Sequence, residues 1–110
     1  MLNSVVLVGR LAEDPSYNES ENGTKYLRFS LAVNKPFPNK DGEYEVDFVK
    51  CVTFDALAQS TSEICKKGSI IGIRGRISTS VSILTVGNES KKIENMDVIA
   101  ERISFIKIWF

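Results

Sequence analysis

Apolar and polar side chains alternate over most of this chain, and this pattern restricts the fold to one built from β-strands. The clearest case is Lys25–Asn34, in which Leu27, Phe29, Leu31 and Val33 recur at every second position. Because successive side chains of a strand point to opposite faces, these four share one buried face. The same pattern predicts four further strands, over residues 4–11, 44–54, 69–79 and 96–106.

One helix is predicted between the third and fourth strands, with Asp55 as its N-terminal cap and Gly68 as its stop. Residues 15–23 are acidic and rich in turn formers, which predicts a loop. Residues 80–95 are predicted to form a hairpin arm around a Gly-Asn turn. Three strands, one helix and two strands is the order of the five-stranded OB-fold barrel, an all-β fold whose helix plugs one end.

The last two predicted strands depart from simple alternation. Gly75 lies on the buried side of the fourth strand, which suits a sharp bend at a barrel corner. The last strand is apolar on both faces, with Val98 and Ala100 on one and Ile99, Ile103 and Phe105 on the other. Such a strand is either central in its sheet or covered by a partner chain.

The charges cancel in number but are unevenly distributed. The 110 residues suffice for one domain and include 14 basic and 14 acidic side chains. No acid occurs over residues 26–39 or 64–88. A neutral chain with this segregation can still present one basic face, and phosphate binding depends on local potential rather than total charge.

The chain contains no histidine, which excludes histidine-dependent catalysis and histidine-ligated zinc. Cys51 and Cys65 are interpreted as buried apolar groups in a reducing cytoplasm. Glu43, Glu45 and Asp47 share one face, but three acids at a strand entrance are usually only solvated. No phosphate-binding glycine loop is present. We therefore expect no enzymatic activity, no metal, no cofactor and no membrane span.

The third predicted strand displays Phe48, Lys50 and Phe54 on one face. At about 3.3 Å per residue its two rings are about 20 Å apart, a span that accommodates several stacked bases. Core-facing phenylalanines are an equally open alternative from the pattern, although Lys50 requires solvent and Val49 and Cys51 on the other face suit a core. The pattern thus leaves two orientations of this strand open.

Further cations accompany this strand. Arg74 and Arg76 share a face of the fourth strand, and Arg28 lies on the polar face of the second. Lys35 and Phe37 lie in a proline-rich connection, where Phe37 is a candidate ring on a mobile arm. A solvated edge is an equally open interpretation of the two arginines Arg74 and Arg76.

Several segments together resemble the bacterial single-stranded DNA-binding proteins. These segments are residues 1–11 followed by Asp14-Pro15, residues 29–34, residues 47–54, and residues 67–69 leading to residues 75–77. The resemblance spans residues 1–106. It implies an OB-fold domain that binds single-stranded DNA without strong sequence preference in replication, recombination and repair. It also implies a homotetramer, or a dimer, that is not an enzyme and is cytoplasmic.

The resemblance implies stacking on Phe37, Phe48 and Phe54 and a basic contact from Lys50. Phenylalanine replaces the tryptophan that the family commonly has at the first two of these positions. The complete predicted set for nucleic-acid binding is Arg10, Arg28, Lys35, Phe37, Phe48, Lys50, Phe54, Arg74 and Arg76.

The chain departs from the family pattern at two places. Ser80 and Ser82 stand where the family shows a basic residue and an aromatic one, so one stacking ring is expected to be missing. Residues 107–110 form a short apolar end instead of an acidic tail, so replication and repair partners are not assigned. We expect a packing or interface role for Trp109 and Phe110, in a cellular paralogue, a phage or mobile-element protein, or a shortened form.

These departures favour one alternative function. An OB-fold protein-interaction module, of the kind found in primosome accessory proteins, would bind nucleic acid only weakly. Its main ligand would be another protein.

Overall fold

The computed structural model describes residues 1–108, which form a barrel of strands with one helix. The strands are β1 (Val5–Leu11), β2 (Ser16–Glu19), β3 (Lys25–Asn34), β4 (Val46–Phe54), β5 (Ile70–Val86) and β6 (Glu89–Lys107). The helix α1 (Asp55–Ile64) connects β4 to β5. The predicted order of elements is therefore present, with the short strand β2 added. Trp109 and Phe110, for which a packing or interface role is expected, lie outside the described residues.

The strands close into a barrel through a pairing between the first and third strands. The sheet order is β1-β5-β6-β4-β3-β2, and β1 also pairs with β3 through Leu11 opposite Leu31. The β4–β6 pairing is parallel, with Cys51 opposite Val98, and the other pairings are antiparallel. Five strands thus form a closed barrel and β2 extends its edge, which confirms the predicted OB-fold.

The prediction of a loop over residues 15–23 is wrong in its first half. Ser16–Glu19 pairs with β3, with Tyr17 opposite Leu27, and only the following residues form the turn. The turn is closed by the Ser20 carbonyl, which accepts from the Gly23 amide at 2.9 Å. All four residues of β2 are exposed, so no apolar alternation marks this edge strand in the sequence.

The predicted cap and stop of the helix are also wrong. Phe54 occupies the N-cap position with extended backbone, and no side chain caps the helix. Asp55 is instead the first helical residue and has a φ of 54°, which lets the chain pass from strand to helix without a connecting loop. The helix ends at Ile64, and Gly68, with a φ of 95°, forms the turn into β5.

A bulge in β6 accounts for the mixed faces of the last strand. Gly75 lies opposite Ala100 while Arg74 lies opposite Arg102, so Glu101 is an extra residue between the two pairs. The extra residue reverses the alternation, and Ile103 therefore packs against the core on the same side as Ala100. The prediction that Ile103 faces away from Ala100 is wrong for this reason.

The core is built from the faces that the alternation predicts. Leu27, Phe29 and Leu31 of β3 are buried together with Ile71 and Ile73 of β5. The helix covers one end of this core with Ala58 and Thr61, in agreement with its predicted position. Within residues 1–108 no helix has the length and apolarity needed to cross a bilayer.

Both cysteines are free thiols buried in this core. Burial raises the pKa of Cys51 to about 12, with a smaller contribution from the Asp97 carboxylate, and burial also raises the pKa of Cys65. The folded protein therefore keeps these protons at pH values where the unfolded chain, with an ordinary thiol pKa of about 8.5, releases them.

We expect neither thiol to react with a thiol-specific reagent in the native protein at mildly alkaline pH. Both should react after unfolding in denaturant, because the thiolate is the reactive form. The same proton linkage lowers the free energy of unfolding as the pH rises above about 8.5. The reactivity of the two thiols is measured as uptake of the reagent with and without denaturant. Rapid labelling of the native protein would contradict the burial of both thiols.

Candidate nucleic-acid interface

Strand β4 presents its two phenylalanine rings to solvent. Phe48 is 67% exposed and Phe54 is 40% exposed, and Lys50 on the same face is also exposed. The opposite face carries Cys51 and Thr53, which are buried. The alternative of core-facing rings is therefore wrong.

The outward face of β4 is held by neighbours on both sides. Strand β3 places Tyr26 opposite Phe54 and Ala32 opposite Phe48. On the inner side the Thr53 hydroxyl donates to the Ala100 carbonyl of β6 at 2.9 Å. Strand β4 is thus paired with β3 along its whole length and with β6 at Cys51 and Val52, and its outer side chains lie on the exposed surface of this sheet.

Arg28, Val52, Ile99 and Arg76 form a transverse row across this surface. The register pairs Arg28 with Val52, Val52 with Ile99, and Ile99 with Arg76, across β3, β4, β6 and β5. Val52 is only 5% exposed although it lies on the outer face. The row thus places one guanidinium group on each side of the apolar pair Val52 and Ile99.

Tyr26 adds a third ring to the surface. The Arg28 guanidinium carbon lies 5.6 Å from the centroid of the Tyr26 ring, a distance at which a cation and a ring attract. Tyr26, Arg28, Val52 and Phe54 line an open cleft of about 620 Å³, and residues of the β2–β3 turn border it. The cleft leaves open space beside Phe54.

Several of the predicted cations are paired with acids. Arg28 lies 3.8 Å from the Asp97 carboxylate and Arg76 lies 4.0 Å from that of Glu101. Lys35 is bound to Asp47, whose hydrogen bond and charge raise the pKa of that ammonium group. These pairs are solvent-accessible, and such pairs contribute little to stability.

Two predicted cations have no ion pair within residues 1–108. Lys50 lies between the two rings of β4, and Arg74 lies on β5 between Val6 and Arg102. Arg74 lies two residues before Arg76 on the same face of β5, and the bulge in β6 places it opposite Arg102 rather than Glu101. Among the predicted cations, Lys50 is therefore the closest in sequence to Phe48 and Phe54, and it projects from the same face of β4.

Two groups predicted from the sequence lie at the margins of this surface. Arg10 pairs with Ala32 at the seam of the barrel and donates to the Gly68 carbonyl at 3.2 Å. Phe37 is 79% exposed in the connection between β3 and β4. We name the outer surface of β3, β4 and β6 that carries Arg28, Phe48, Lys50, Phe54 and Asp97 the platform.

Asp97 is the member of the platform that the sequence did not indicate. It lies on β6 beside the β4 segment containing Lys50, and its side chain is 21% exposed. Its position near two cations follows from the parallel β4–β6 pairing, which no local pattern reveals. Within the described residues, no group of three Cys, Asp or Glu side chains is placed to hold a metal ion.

Strands β5 and β6 continue beyond the barrel as a two-stranded arm, residues 78–97. The turn of the arm contains Gly87, with a φ of 62°, so the predicted hairpin is present. The Asn95 amide donates to the Ser82 hydroxyl across the arm at 2.7 Å. The arm contains no aromatic residue. Its exposed apolar side chains include Val81, Ile83, Leu84, Val86 and Met96.

A closed OB-fold barrel with solvent-facing rings and cations on its central strands is an architecture typical of single-stranded nucleic-acid binders. The sequence model of the single-strand binding protein family matches residues 2–106. This chain belongs to that family.

Relatives with similar names match nearly the whole chain. A single-stranded DNA-binding protein of Halalkalibacterium halodurans is 42% identical over 97% of this chain and 62% of its own length. Single-stranded DNA-binding protein 3 of Listeria innocua is 39% identical over 97% and 65%. Single-stranded DNA-binding protein A of Bacillus subtilis is 39% identical over 97% and 60%. The chain thus spans less than two thirds of the length of these relatives.

Proposed function

We propose that this chain binds and protects single-stranded DNA without strong sequence preference, in replication, recombination or repair. The observation that carries the proposal is the outward row Phe48, Lys50 and Phe54 on a strand that β3 pairs along its whole length and β6 pairs at its centre. Each ring offers a face to one base, and base stacking on an aromatic ring contributes about 1–3 kcal/mol. The process has no chemical step.

Phosphate neutralisation supplies the second part of the proposed mechanism. Lys50 and Arg74 have no ion pair within residues 1–108 and are available to phosphates directly. Arg76 and Lys35 exchange an exposed carboxylate for a phosphate, and the exchange costs little because exposed pairs are weak. Phe37, in the exposed connection that follows Lys35, then stacks on an adjacent base.

We also propose that the chain self-associates, as a tetramer or a dimer in the cytoplasm. Val6 and Val8 are exposed on the outer side of β1, and Met1 and Leu2 precede them in the open. Apolar side chains clustered on one exposed strand favour burial against a second copy. Protein partners in replication or repair are not assigned.

A second candidate function is that of a protein-interaction module. The exposed apolar residues of the arm favour it, because an apolar hairpin that extends from a barrel suits a protein ligand better than a phosphate chain. In this case nucleic-acid binding is weak.

Fluorescence anisotropy with single- and double-stranded oligonucleotides of equal length distinguishes the two functions. We expect strong preference for the single strand, because paired bases cannot stack on Phe48 and Phe54. Equal affinity for the single-stranded and the double-stranded oligonucleotide would contradict base stacking. If the protein binds neither oligonucleotide, the result would favour the interaction module.

The same titration at increasing salt concentration tests the phosphate contacts. The logarithm of the association constant should fall linearly with the logarithm of the salt concentration, with a slope of about 0.7 per phosphate neutralised for single strands. The proposed contacts of Lys35, Lys50, Arg74 and Arg76 predict a slope of roughly 3 in magnitude. A flat dependence would remove the electrostatic part of the mechanism.

A further inference from the structure

A cleft of about 360 Å³ lies where the arm joins the platform. Arg28, Lys50 and Asp97 line it from the platform. Glu94, a second acid, and Met96, which is exposed, line it from the arm. Lys50 lies between Phe48 and Phe54 along β4, so the cleft opens beside the path proposed for DNA. A base bound between Phe48 and Phe54 would therefore lie close to these charged side chains.

The presence of Asp97 in this cleft requires an explanation. A surface that attracts phosphates loses affinity when it contains a carboxylate, because like charges repel. Yet Asp97 lines this cleft together with both cations, and its carboxylate lies 3.8 Å from Arg28. Phosphate binding alone therefore gives this acid no role.

The carboxylate of Asp97 also has hydrogen-bonding capacity to spare. Its distance of 3.8 Å from Arg28 is an ion pair but is too long for a hydrogen bond. Within residues 1–108, no side-chain or backbone donor hydrogen-bonds to this carboxylate. An ionised carboxylate has about four acceptor positions, and a largely covered one gains most from a donor that fills them.

We propose that Asp97 reads the edge of a base, by accepting a hydrogen bond from an exocyclic amino group, and that the platform thereby prefers cytosine to thymine. This inference rests on the proposed function. The amino group of cytosine donates to Asp97, while the ring nitrogen and carbonyl beside it accept from Lys50 or Arg28. A carboxylate that accepts from the cytosine amino group is a known mode of base recognition.

Thymine presents the opposite pattern to the same groups. Its carbonyl oxygen stands where cytosine has the amino group, and its one ring donor is flanked by two carbonyl oxygens. The Asp97 carboxylate repels these oxygens. Both bases are pyrimidines that stack on a ring, but thymine also carries a C5-methyl group. The contribution of this methyl group cancels when the same two oligonucleotides are compared between two variants of the protein.

The test compares cytosine-only and thymine-only oligonucleotides of equal length, at slightly alkaline pH so that cytosine stays unprotonated. The measured quantity is the ratio of their dissociation constants for the unaltered protein and for Asp97→Asn. An amide can either accept from cytosine or donate to thymine, so the variant loses discrimination. We expect the preference for cytosine to fall by about tenfold, the lower end of what one hydrogen bond to a charged group contributes.

Glu101→Gln is the matched control. This variant also removes a carboxylate that pairs with an arginine, at 4.0 Å from Arg76, but Glu101 lies in the bulge and does not line the cleft. Glu101→Gln should bind both oligonucleotides more tightly, because it releases Arg76 for phosphate. Asp97→Asn should gain affinity for thymine in the same way but lose the hydrogen bond between cytosine and the carboxylate. Only Asp97→Asn should change the ratio.

The outcomes separate this inference from the proposed function. A protein that binds both oligonucleotides, and whose ratio changes no more in Asp97→Asn than in Glu101→Gln, would overturn base reading and leave DNA coating intact. A protein that binds neither oligonucleotide would overturn both. Unfolding midpoints equal to that of the unaltered protein show that each variant is folded.

Discussion

Replacing Phe48 and Phe54 together by alanine is expected to weaken single-stranded DNA binding by at least thirtyfold. Each ring contributes about 1–3 kcal/mol through stacking, so the pair contributes at least about 2 kcal/mol. Both rings project from the barrel, and their loss leaves the buried face of β4 unchanged. Anisotropy titration at fixed salt measures the effect.

Tyr17→Ala is the control for the loss of an exposed ring. Tyr17 lies on β2 opposite Leu27, whose side chain is in the core, so its ring is on the other face of the sheet from Phe54. We expect this variant to bind DNA with unchanged affinity. A folded double variant that binds as tightly as the unaltered protein would refute the platform as the binding surface.

Gly75→Ala is expected to destabilise the barrel by about 4 kcal/mol or more, a loss that few single substitutions cause. A Cβ atom at this position would lie 2.8 Å from the Ile99 carbonyl carbon, closer still to its oxygen, and 3.1 Å from the Ala100 Cα. These are backbone atoms of the adjacent strand and cannot rotate away. The variant must separate β5 from β6 or move the bulge at Glu101.

Gly72→Ala is the matched control on the same strand. Its Cβ atom would meet Val8 at 3.6 Å and Ile106 at 3.8 Å, which are ordinary contacts with side chains. The substitution also reduces the freedom of the unfolded chain, so its effect should be small or stabilising. Denaturant unfolding measures both variants. Equal midpoints for the two would show that the close approach at Gly75 does not limit stability.

The platform and the close approach of β5 and β6 at Gly75 are two parts of one architecture. The close approach of β5 and β6 at Gly75 allows the barrel to bend, and the bulge opposite it orients Arg76 toward the row that contains Val52. The platform depends on this frame, because β4 displays its rings only while β3 and β6 hold both of its edges. A variant at Gly75 that remained folded should therefore also bind DNA less well.

Much of the platform follows from the sequence. The alternation in β4 separates Phe48, Lys50 and Phe54 from Cys51 and Thr53. The need of Lys50 for water favours its face as the outer one but leaves the opposite orientation open. The alternation in β3 identifies its buried residues directly. These inferences succeed because side-chain direction in a strand is a local property that depends only on position.

Other features depend on contacts between distant segments. The strand β2 has no apolar alternation and forms because β3 offers it an open edge. Asp55 resembles a helix cap in sequence but enters the helix, because β4 runs without a break into α1. The reversal of alternation at Glu101 has no local sign, since a bulge is defined by two strands together.

The amino-acid sequence alone predicts the all-β class, the order of the main elements and the grouping of Phe48, Lys50 and Phe54 on one face of β4. The packing of the barrel decides which face of β4 is outer, that Asp97 lies beside Lys50, and that Arg28 and Arg76 lie in one row. The difference lies in the range of each interaction. The direction of a side chain is set within its own strand, whereas the register between strands is set by packing over the whole barrel.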